Sequence, residues 1–73
     1  MSEPASELKK LSNIATDLKL TAEMRIKAIE LLGRMGGREA FLALLELAAN
    51  EALAPEERDI ALRQARVILR SGR

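Results

Sequence analysis

The stretch that decides the fold is Phe41-Leu-Ala-Leu-Leu-Glu-Leu-Ala-Ala49, which follows the pair Gly36-Gly37. At about 100° per residue, its apolar side chains fall into two stripes of a helix. The first stripe contains Phe41, Leu44 and Ala48, with Leu47 beside it. The second stripe continues past the stretch and contains Leu42, Leu45, Ala49 and Ala52. A helix that is apolar on more than half of its circumference needs neighbours on two sides. The sequence therefore predicts a stack of helices with this one at its centre.

The composition of the chain favours helices throughout. Its 73 residues fit one small domain, and 48% of them are hydrophobic, but Phe41 is the only aromatic residue. Leu and Ala are good helix formers, whereas the β-branched and aromatic residues typical of strands are scarce. The chain has no cysteine, so a disulfide framework is excluded. The predicted fold class is all-α.

Apolar periodicity and capping residues predict four helices, at about residues 5–19, 22–35, 38–53 and 55–70. Thr21 is a good N-cap for the second helix, Gly36 and Gly37 suit its end, and Pro55 suits the first turn of the fourth. Short connections make consecutive helices antiparallel. The second helix is expected to bury Met24, Ala28, Ile29, Leu31, Leu32 and Met35. The fourth is expected to bury Ala61, Leu62, Ala65, Ile68 and Leu69.

The sequence resembles itself when it is shifted by 33 residues. In this alignment apolar residues coincide with apolar residues along both halves, and Arg25 coincides with Arg58. The shared arginine and the shared phase across a loop indicate a duplicated unit of two helices. Chance periodicity of amphipathic helices is the alternative explanation.

The segments Met24-Arg25, 28–33 and Gly36-Gly37 carry a resemblance to HEAT-like repeats. The residues 57–62 match the same pattern more loosely, and the last helix lacks the Leu-Gly pair found at Leu32-Gly33. The resemblance implies a short α-solenoid fragment of four stacked antiparallel helices. It also implies a superhelix whose concave face binds other macromolecules, without identifying any one of them.

Arg25 and Arg58 each lie near the start of a helix, on its apolar side. An arginine in this position more often bonds the carbonyl groups or a carboxylate of a neighbouring turn than an external ligand. Asp17 and Glu57 are the candidate partners, and we expect a structural role for both arginines.

The charges are strongly segregated along the chain. Residues 39–57 contain five acidic residues and no basic one, whereas residues 58–73 contain five arginines and a single acid, Asp59. A helical wheel places Arg63, Arg66 and Arg70 within about 60° of each other, with Arg73 close by. This arginine ridge is a candidate site for a polyanion or an acidic protein surface. Basic residues that complement a helix dipole or aid solubility are the simpler interpretation.

The residue inventory argues against catalysis. The chain has no histidine or cysteine, so the usual proton shuttle, thiol nucleophile and transition-metal ligands are missing. Its carboxylates lie at helix starts or on solvated faces, where no cleft shifts their pKa values apart. We therefore expect no enzyme activity, no cofactor, no metal and no small-molecule substrate. No apolar run is long enough to span a membrane, and the expected location is the cytoplasm.

The main functional hypothesis is a non-catalytic scaffold that binds another protein. Self-association into a homo-oligomer is one form of it, with Leu42, Leu45, Ile60 and Val67 as the candidate partner surface. The equally weighted alternative is that these four residues complete the core of the monomer.

The rival functional hypothesis is a nucleic-acid-binding protein that uses Arg63, Arg66, Arg70 and Arg73. No aromatic residue accompanies this ridge, and a helix-turn-helix over residues 22–53 would place an acidic helix in the groove of DNA. A third possibility is a structural domain of a longer repeat protein.

Overall fold

The computed structural model describes residues 4–72, with side chains from residue 6 onward. This part of the chain forms four α-helices and contains no strand, which confirms the all-α prediction. The helices are α1 (Pro4–Thr16), α2 (Ala22–Met35), α3 (Gly37–Ala48) and α4 (Pro55–Ser71).

The starts of α2 and α4 follow their capping residues. The side chain of Thr21 accepts a hydrogen bond from the backbone N–H of Met24 at 3.3 Å, as predicted for an N-cap. Pro55 occupies the first turn of α4, where its missing N–H removes no intrahelical bond. These two residues fix where the second and fourth helices begin.

A single residue, Gly36, connects α2 to α3. Its backbone has φ 70° and ψ −171°, a combination that is essentially restricted to glycine. Its N–H donates to the carbonyl of Leu32 at 3.4 Å and so closes the last turn of α2. Gly37 also has a positive φ, at 84°, and opens α3. The two glycines thus reverse the chain within the shortest possible connection.

The helices α1 and α3 end earlier than the sequence pattern predicted. The prediction extended them to residues 19 and 53, but they end at Thr16 and Ala48. After α1, the carboxylate of Asp17 accepts a hydrogen bond from the backbone of Lys19 at 3.0 Å. The amide oxygen of Asn50 plays the same part after α3, accepting from the residue two positions on at 2.9 Å. These side chains offer the backbone an alternative to helix, and both helices stop there.

The core lies where the four helices face one another. The pairs α1–α2 and α3–α4 pack most extensively, α2 also contacts α3 and α4, and α3 contacts α1. Within the described residues, α1 and α4 do not contact each other. The largest side chains that are fully buried are those of Ile29, Leu32 and Leu44. The core is completed by Ala15, Ala28, Ala40, Leu47, Leu53, Ala61, Ala65 and Ile68.

The prediction that both stripes of α3 are covered was wrong. The first stripe and the adjacent Leu47 contact the core, with Leu44 and Leu47 buried and Phe41 half-buried. The second stripe is in solvent: Leu42 is 46% exposed and Leu45 is 37% exposed. The physical reason is that all the neighbours of α3 pack against its first stripe, so no helix reaches its other side.

Four more residues assigned to the core by their spacing are also exposed. They are Met24, Leu31 and Met35 on α2 and Leu69 on α4. Both helices have more apolar surface than their neighbours cover.

The two halves of the chain repeat the same local geometry 33 residues apart. The start of α1 at Pro4 corresponds to the start of α3 at Gly37, and Ala22 at the start of α2 corresponds to Pro55 at the start of α4. The turn at Asp17 and the turn at Asn50 share this spacing and the same hydrogen-bond pattern. The ends differ, because α4 has 17 residues and α2 has 14.

Within residues 4–72, no helix has the combination of length and apolar character that spanning a membrane requires.

Candidate interaction surfaces

A buried ion pair joins α2 to α4 inside the stack. The Nε of Arg25 donates to a carboxylate oxygen of Glu57 at 2.5 Å, and the two side chains are 12% and 3% exposed. The guanidinium also donates to the backbone carbonyls of Leu20 at 2.5 Å and Asp17 at 3.3 Å. Arg25 therefore holds together the α1–α2 turn and the first turn of α4. The predicted structural role of this arginine is confirmed.

Glu57 reaches Arg25 because the start of α4 fixes its side chain. Its second carboxylate oxygen accepts a hydrogen bond from the backbone N–H of Ala54 at 3.3 Å. This contact is one half of a capping box, and the other half is missing because alanine has no side-chain acceptor. The hydrogen bond from Arg25 to Glu57 and the opposite charge of Glu57 raise the pKa of Arg25, while desolvation acts in the other direction.

Arg58 corresponds to Arg25 in the 33-residue spacing, but the Nε of its guanidinium has no partner. This atom is buried, and its N–H donates a hydrogen bond to none of the described residues. The backbone around it repeats that around Arg25, since the N–H of each arginine donates to the N-cap carbonyl, at 3.1 Å for Arg25 and 3.0 Å for Arg58. The predicted structural role is thus fulfilled by Arg25, whereas Arg58 Nε lacks the expected bond.

One side of α4 bears a surface that we call the α4 stripe, made of Arg58, Leu62, Arg66 and Leu69. These residues lie within about 80° of each other on the helix. Leu62 is half-buried, Arg66 is exposed, and Leu69 is 68% exposed. A cleft of about 280 Å³ lies at one end of the stripe, between Leu69 on α4 and Phe41 on α3.

The other end of the stack carries an open apolar groove between α1 and α2. We call it the α1–α2 groove, and its large apolar residues are Leu11, Ile14, Met24 and Leu31. Its volume is about 400 Å³. The charged residues on its rim are Glu23 and Lys27, one of each sign. Met24 and Leu31 are 50% and 41% exposed, so no described part of the chain covers them.

The structure divides the predicted partner surface into two parts. Leu42 and Leu45 lie exposed on α3, whereas Ile60 is half-buried against the core and Val67 is 44% exposed on α4. Val67 projects from α4 about 160° away from Leu69, the residue on the α3 side of that helix. The four residues therefore do not make one continuous strip.

The predicted arginine ridge lies on the exposed side of α4. Arg63, Arg66 and Arg70 are all exposed, and Arg63 forms an ion pair with Asp59 at 2.8 Å. The side chains of this pair are 70% and 54% exposed, so water screens it strongly. Arg73, the fourth member of the ridge, lies outside the described residues.

A cleft of about 500 Å³ lies between α1 and α3. Its lining includes Ser12, Asn13 and Thr16 of α1 and Glu46 of α3. The hydroxyl of Ser12 is buried without a hydrogen-bond partner. In the described part of the chain, no group of three or more acidic residues is placed to hold a metal ion.

No protein-family model matches the chain, and comparisons with curated proteins and with solved structures found no match either.

Sequence reasoning missed both the α1–α2 groove and the apolar members of the α4 stripe. It placed Met24 and Leu31 in the core because their spacing fits a helix face. The available signal was the width of that face, since Met24 and Leu31 lie about 80° or more away from the buried Leu32. A helix with only one layer of neighbours cannot bury so broad a surface.

Proposed function

We propose that this chain is a non-catalytic, HEAT-like helical-repeat module that binds other proteins and serves as a scaffold in the cytoplasm. The spacing of 33 residues between equivalent helix starts and equivalent turns supports the repeat. The resemblance at Met24-Arg25 and at the Gly36-Gly37 connection supports the family assignment. Repeat stacks of this kind have open ends, and their apolar ends bind neighbours.

The observation that carries this proposal is the exposure of large apolar side chains. Eight of those described are more than a third exposed: Leu18, Met24, Leu31, Met35, Leu42, Leu45, Val67 and Leu69. Monomeric proteins rarely leave contiguous apolar patches larger than a few hundred Å² in water. Here such residues concentrate at the α1–α2 groove and on the outer sides of α3 and α4, which suits a protein that is completed by a partner.

Self-association is the simplest form of this function, and the α1–α2 groove is the surface we assign to it. Two copies that meet through this groove bring together apolar side chains. The rim residues Glu23 and Lys27 have opposite charges, so two copies can approach without net like-charge repulsion. The arginine-bearing side of α4 lacks this property, since two copies there would oppose Arg63, Arg66 and Arg70 to each other.

Photo-crosslinking tests the proposal. A photoreactive residue replaces Met24 in the groove, and a matched variant carries it at Lys9, an exposed position of α1 outside the groove. We expect saturable adducts from position 24, with the chain itself or with a host protein, and none from position 9. Light scattering behind a sizing column identifies the homodimer. A chain that stays monomeric and gives equal labelling at both positions refutes the function.

Nucleic-acid binding is the rival function, favoured by the exposure of Arg63, Arg66 and Arg70. The Asp59 carboxylate paired with Arg63 weighs against it, because it neutralises one of the three cations. A titration with duplex DNA at two salt concentrations tests this rival. It requires affinity at low salt that falls when all three arginines are replaced by alanine; undetectable binding at low salt eliminates it.

A further inference from the structure

We propose that the α4 stripe docks an amphipathic helix of a partner protein, one with a carboxylate in its first turn and a second carboxylate seven residues later. The inference rests on the proposed protein-binding function and specifies the partner's chemistry. Its main residues are Arg58, Leu62 and Arg66, and the interior of the same molecule supplies the template.

The template is the contact of α2 with α4. The side of α2 that faces α4 carries Arg25, Ile29 and Gly33. Glu57, in the first turn of α4, binds Arg25 at 2.5 Å, and Ile29 is fully buried. Seven residues after Glu57, Gln64 packs so closely on Gly33 that an added Cβ would lie 2.0 Å from its amide oxygen. Thus α4, which has an acid at one position and a polar residue seven positions later, already packs over the Arg-Ile-Gly side of α2.

The α4 stripe presents the corresponding pattern without a cover. Arg58 takes the place of Arg25, with its Nε buried and without an acceptor. Leu62 takes the place of the buried Ile29 and is only half-buried. A buried guanidinium N–H without an acceptor costs free energy, so a carboxylate that reaches it gains a charge-assisted hydrogen bond. The stripe therefore favours the group that Glu57 supplies in the interior.

The second requirement follows from the one large difference between the two patterns. Arg66 stands where Gly33 lies in the interior, and its side chain is exposed. A helix that crosses this point must leave room for the guanidinium and compensate its charge. In the docked helix, the residue that corresponds to Gln64 contacts the Arg66 guanidinium. A carboxylate at this position leaves room for the guanidinium and compensates its charge.

The leucines of the stripe select a helix over a nucleic acid. Leu62 and Leu69 lie between and beyond the two arginines, and Leu69 is 68% exposed. A phosphate backbone offers nothing apolar to these side chains. An amphipathic helix buries them with its apolar positions while its acids meet the arginines. Of these two partners, only the helix contacts both the arginines and the leucines of the stripe.

The test uses a synthetic peptide with the sequence of residues 54–71, blocked at both ends, in which Gln64 is replaced by Glu. It carries four acids (Glu56, Glu57, Asp59 and the new Glu) and four arginines, so its net charge is zero. Non-specific charge attraction is thereby minimised. Binding of the labelled peptide to the full chain is followed by fluorescence anisotropy, with circular dichroism as the folding control for every variant.

We expect saturable binding that weakens at least about tenfold for Arg58→Met and for Arg66→Glu in the chain. A peptide with Glu57→Gln, which removes the first carboxylate, is expected to lose affinity equally. Arg34→Met changes an exposed arginine on α2 outside the stripe and is expected to leave affinity unchanged. Because Arg66 is exposed, its variant keeps the test valid even if Arg58→Met unfolds the chain.

The inference is overturned if the peptide does not bind at millimolar concentration, or if Arg66→Glu binds as well as the parent chain. Duplex DNA that binds the parent chain and loses affinity with Arg66→Glu, while the peptide does not bind, assigns the stripe to nucleic acid instead. Crosslinking at Met24 separates this failure from that of the proposed function. Adducts from the groove without peptide binding remove only the docking site on α4, and the absence of both removes the protein-binding function itself.

Discussion

At the scale of single residues, Glu57 stands out as the charged residue that is buried among those the structure describes. It accepts from Arg25 with one oxygen and from the backbone of Ala54 with the other, and it is 3% exposed. It therefore joins two helices and caps one of them. Removing one partner of a buried charge pair is costlier than removing an exposed pair, because the remaining charge stays out of water.

We predict that Glu57→Ala lowers the free energy of unfolding by about 2 kcal/mol, the range found for hydrogen bonds to charged groups. Glu57→Gln is expected to lose less, because its amide oxygen still accepts a hydrogen bond. Urea denaturation measures both. Asp59→Ala is the matched control, since it breaks the exposed pair with Arg63 on the same helix and is expected to cost less than about 0.5 kcal/mol. Equal losses at positions 57 and 59 would contradict the buried geometry.

The same ion pair is expected to be insensitive to pH in the usual range. Because the pKa of Arg25 is raised on folding, its contribution is fully present below the ordinary arginine pKa and is lost only as the pH rises through the higher folded value. We predict that the stability difference between the parent chain and Arg25→Met stays constant between pH 6 and pH 9. Urea midpoints at the two pH values measure it. A difference that shrinks as the pH rises through this range would refute the assignment.

Gly33 is the residue whose small size matters most. Its nearest neighbour is Gln64 of α4, and a methyl group at position 33 would overlap the amide of that side chain. We predict that Gly33→Ala destabilises the chain by about 1 kcal/mol, because overpacking outweighs the gain in helix propensity. In a Gln64→Ala background the cost is expected to fall by at least about 1 kcal/mol. A double-mutant cycle measures this coupling, and additive effects would disprove the contact.

The sequence allowed one of these two contacts to be predicted. Asp17 and Glu57 were the candidate partners of Arg25 and Arg58, because an arginine on an apolar face needs a nearby carboxylate or carbonyl group, but the sequence did not say which carboxylate Arg25 would bind. The contact of Gly33 with Gln64 could not be predicted from the sequence, because it depends on the distance between α2 and α4. The Leu32-Gly33 pair suggested a family resemblance but not the neighbour that requires the glycine.

At the scale of the helices, the connection through Gly36 fixes the direction of α3. Its φ and ψ lie in a region that side chains exclude. We predict that Gly36→Ala destabilises the chain by about 1–3 kcal/mol. Gly72→Ala is the matched control: Gly72 caps α4 at φ 70° and ψ 21°, the ordinary left-handed region, where alanine costs about 1 kcal/mol. Thermal unfolding compares the two, and a larger loss at Gly72 would refute the prediction.

The neighbours Leu31 and Leu32 report which side of α2 is covered. Leu32 is fully buried and Leu31 is 41% exposed. We predict that Leu32→Ala costs about 3 kcal/mol, whereas Leu31→Ala costs less than about 1 kcal/mol. Denaturant unfolding at low protein concentration measures both, so that self-association does not contribute. Similar losses at the two positions would mean that the α1–α2 groove is filled in the isolated chain.

Helix starts were predicted better than helix ends, for a physical reason. Thr21 and Pro55 act on the residues that follow them, so local sequence defines the start. The ends of α1 and α3 depend on a competition between continued apolar periodicity and the side chains of Asp17 and Asn50. The periodicity favoured longer helices, and the side-chain turns prevailed. Leu53, assigned to α3 by its spacing, is buried from the connection instead.

At the scale of the whole molecule, the sequence predicted the fold class but not which faces stay open. Apolar content alone does not distinguish a residue in the core from one at an open end of a stack. The buried Leu32 and the exposed Leu31 have the same side chain and differ only in the helix that faces them. The candidate surface of four residues failed to form one strip for the same reason, since Leu42 and Leu45 lie on α3 whereas Val67 projects from α4 away from the α3 side.

At the position of α4 that corresponds to Gly33 of α2, 33 residues later, the chain has Arg66. This difference affects how identical copies can stack end to end. In the interior, α4 approaches α2 closely only because glycine leaves room. A second copy added head to tail would meet a bulky cation at that point, which opposes this mode of open-ended growth. Arg66 thus opposes the addition of a further copy at the α4 end of the stack, and we expect concentrated solutions to resist fibre formation.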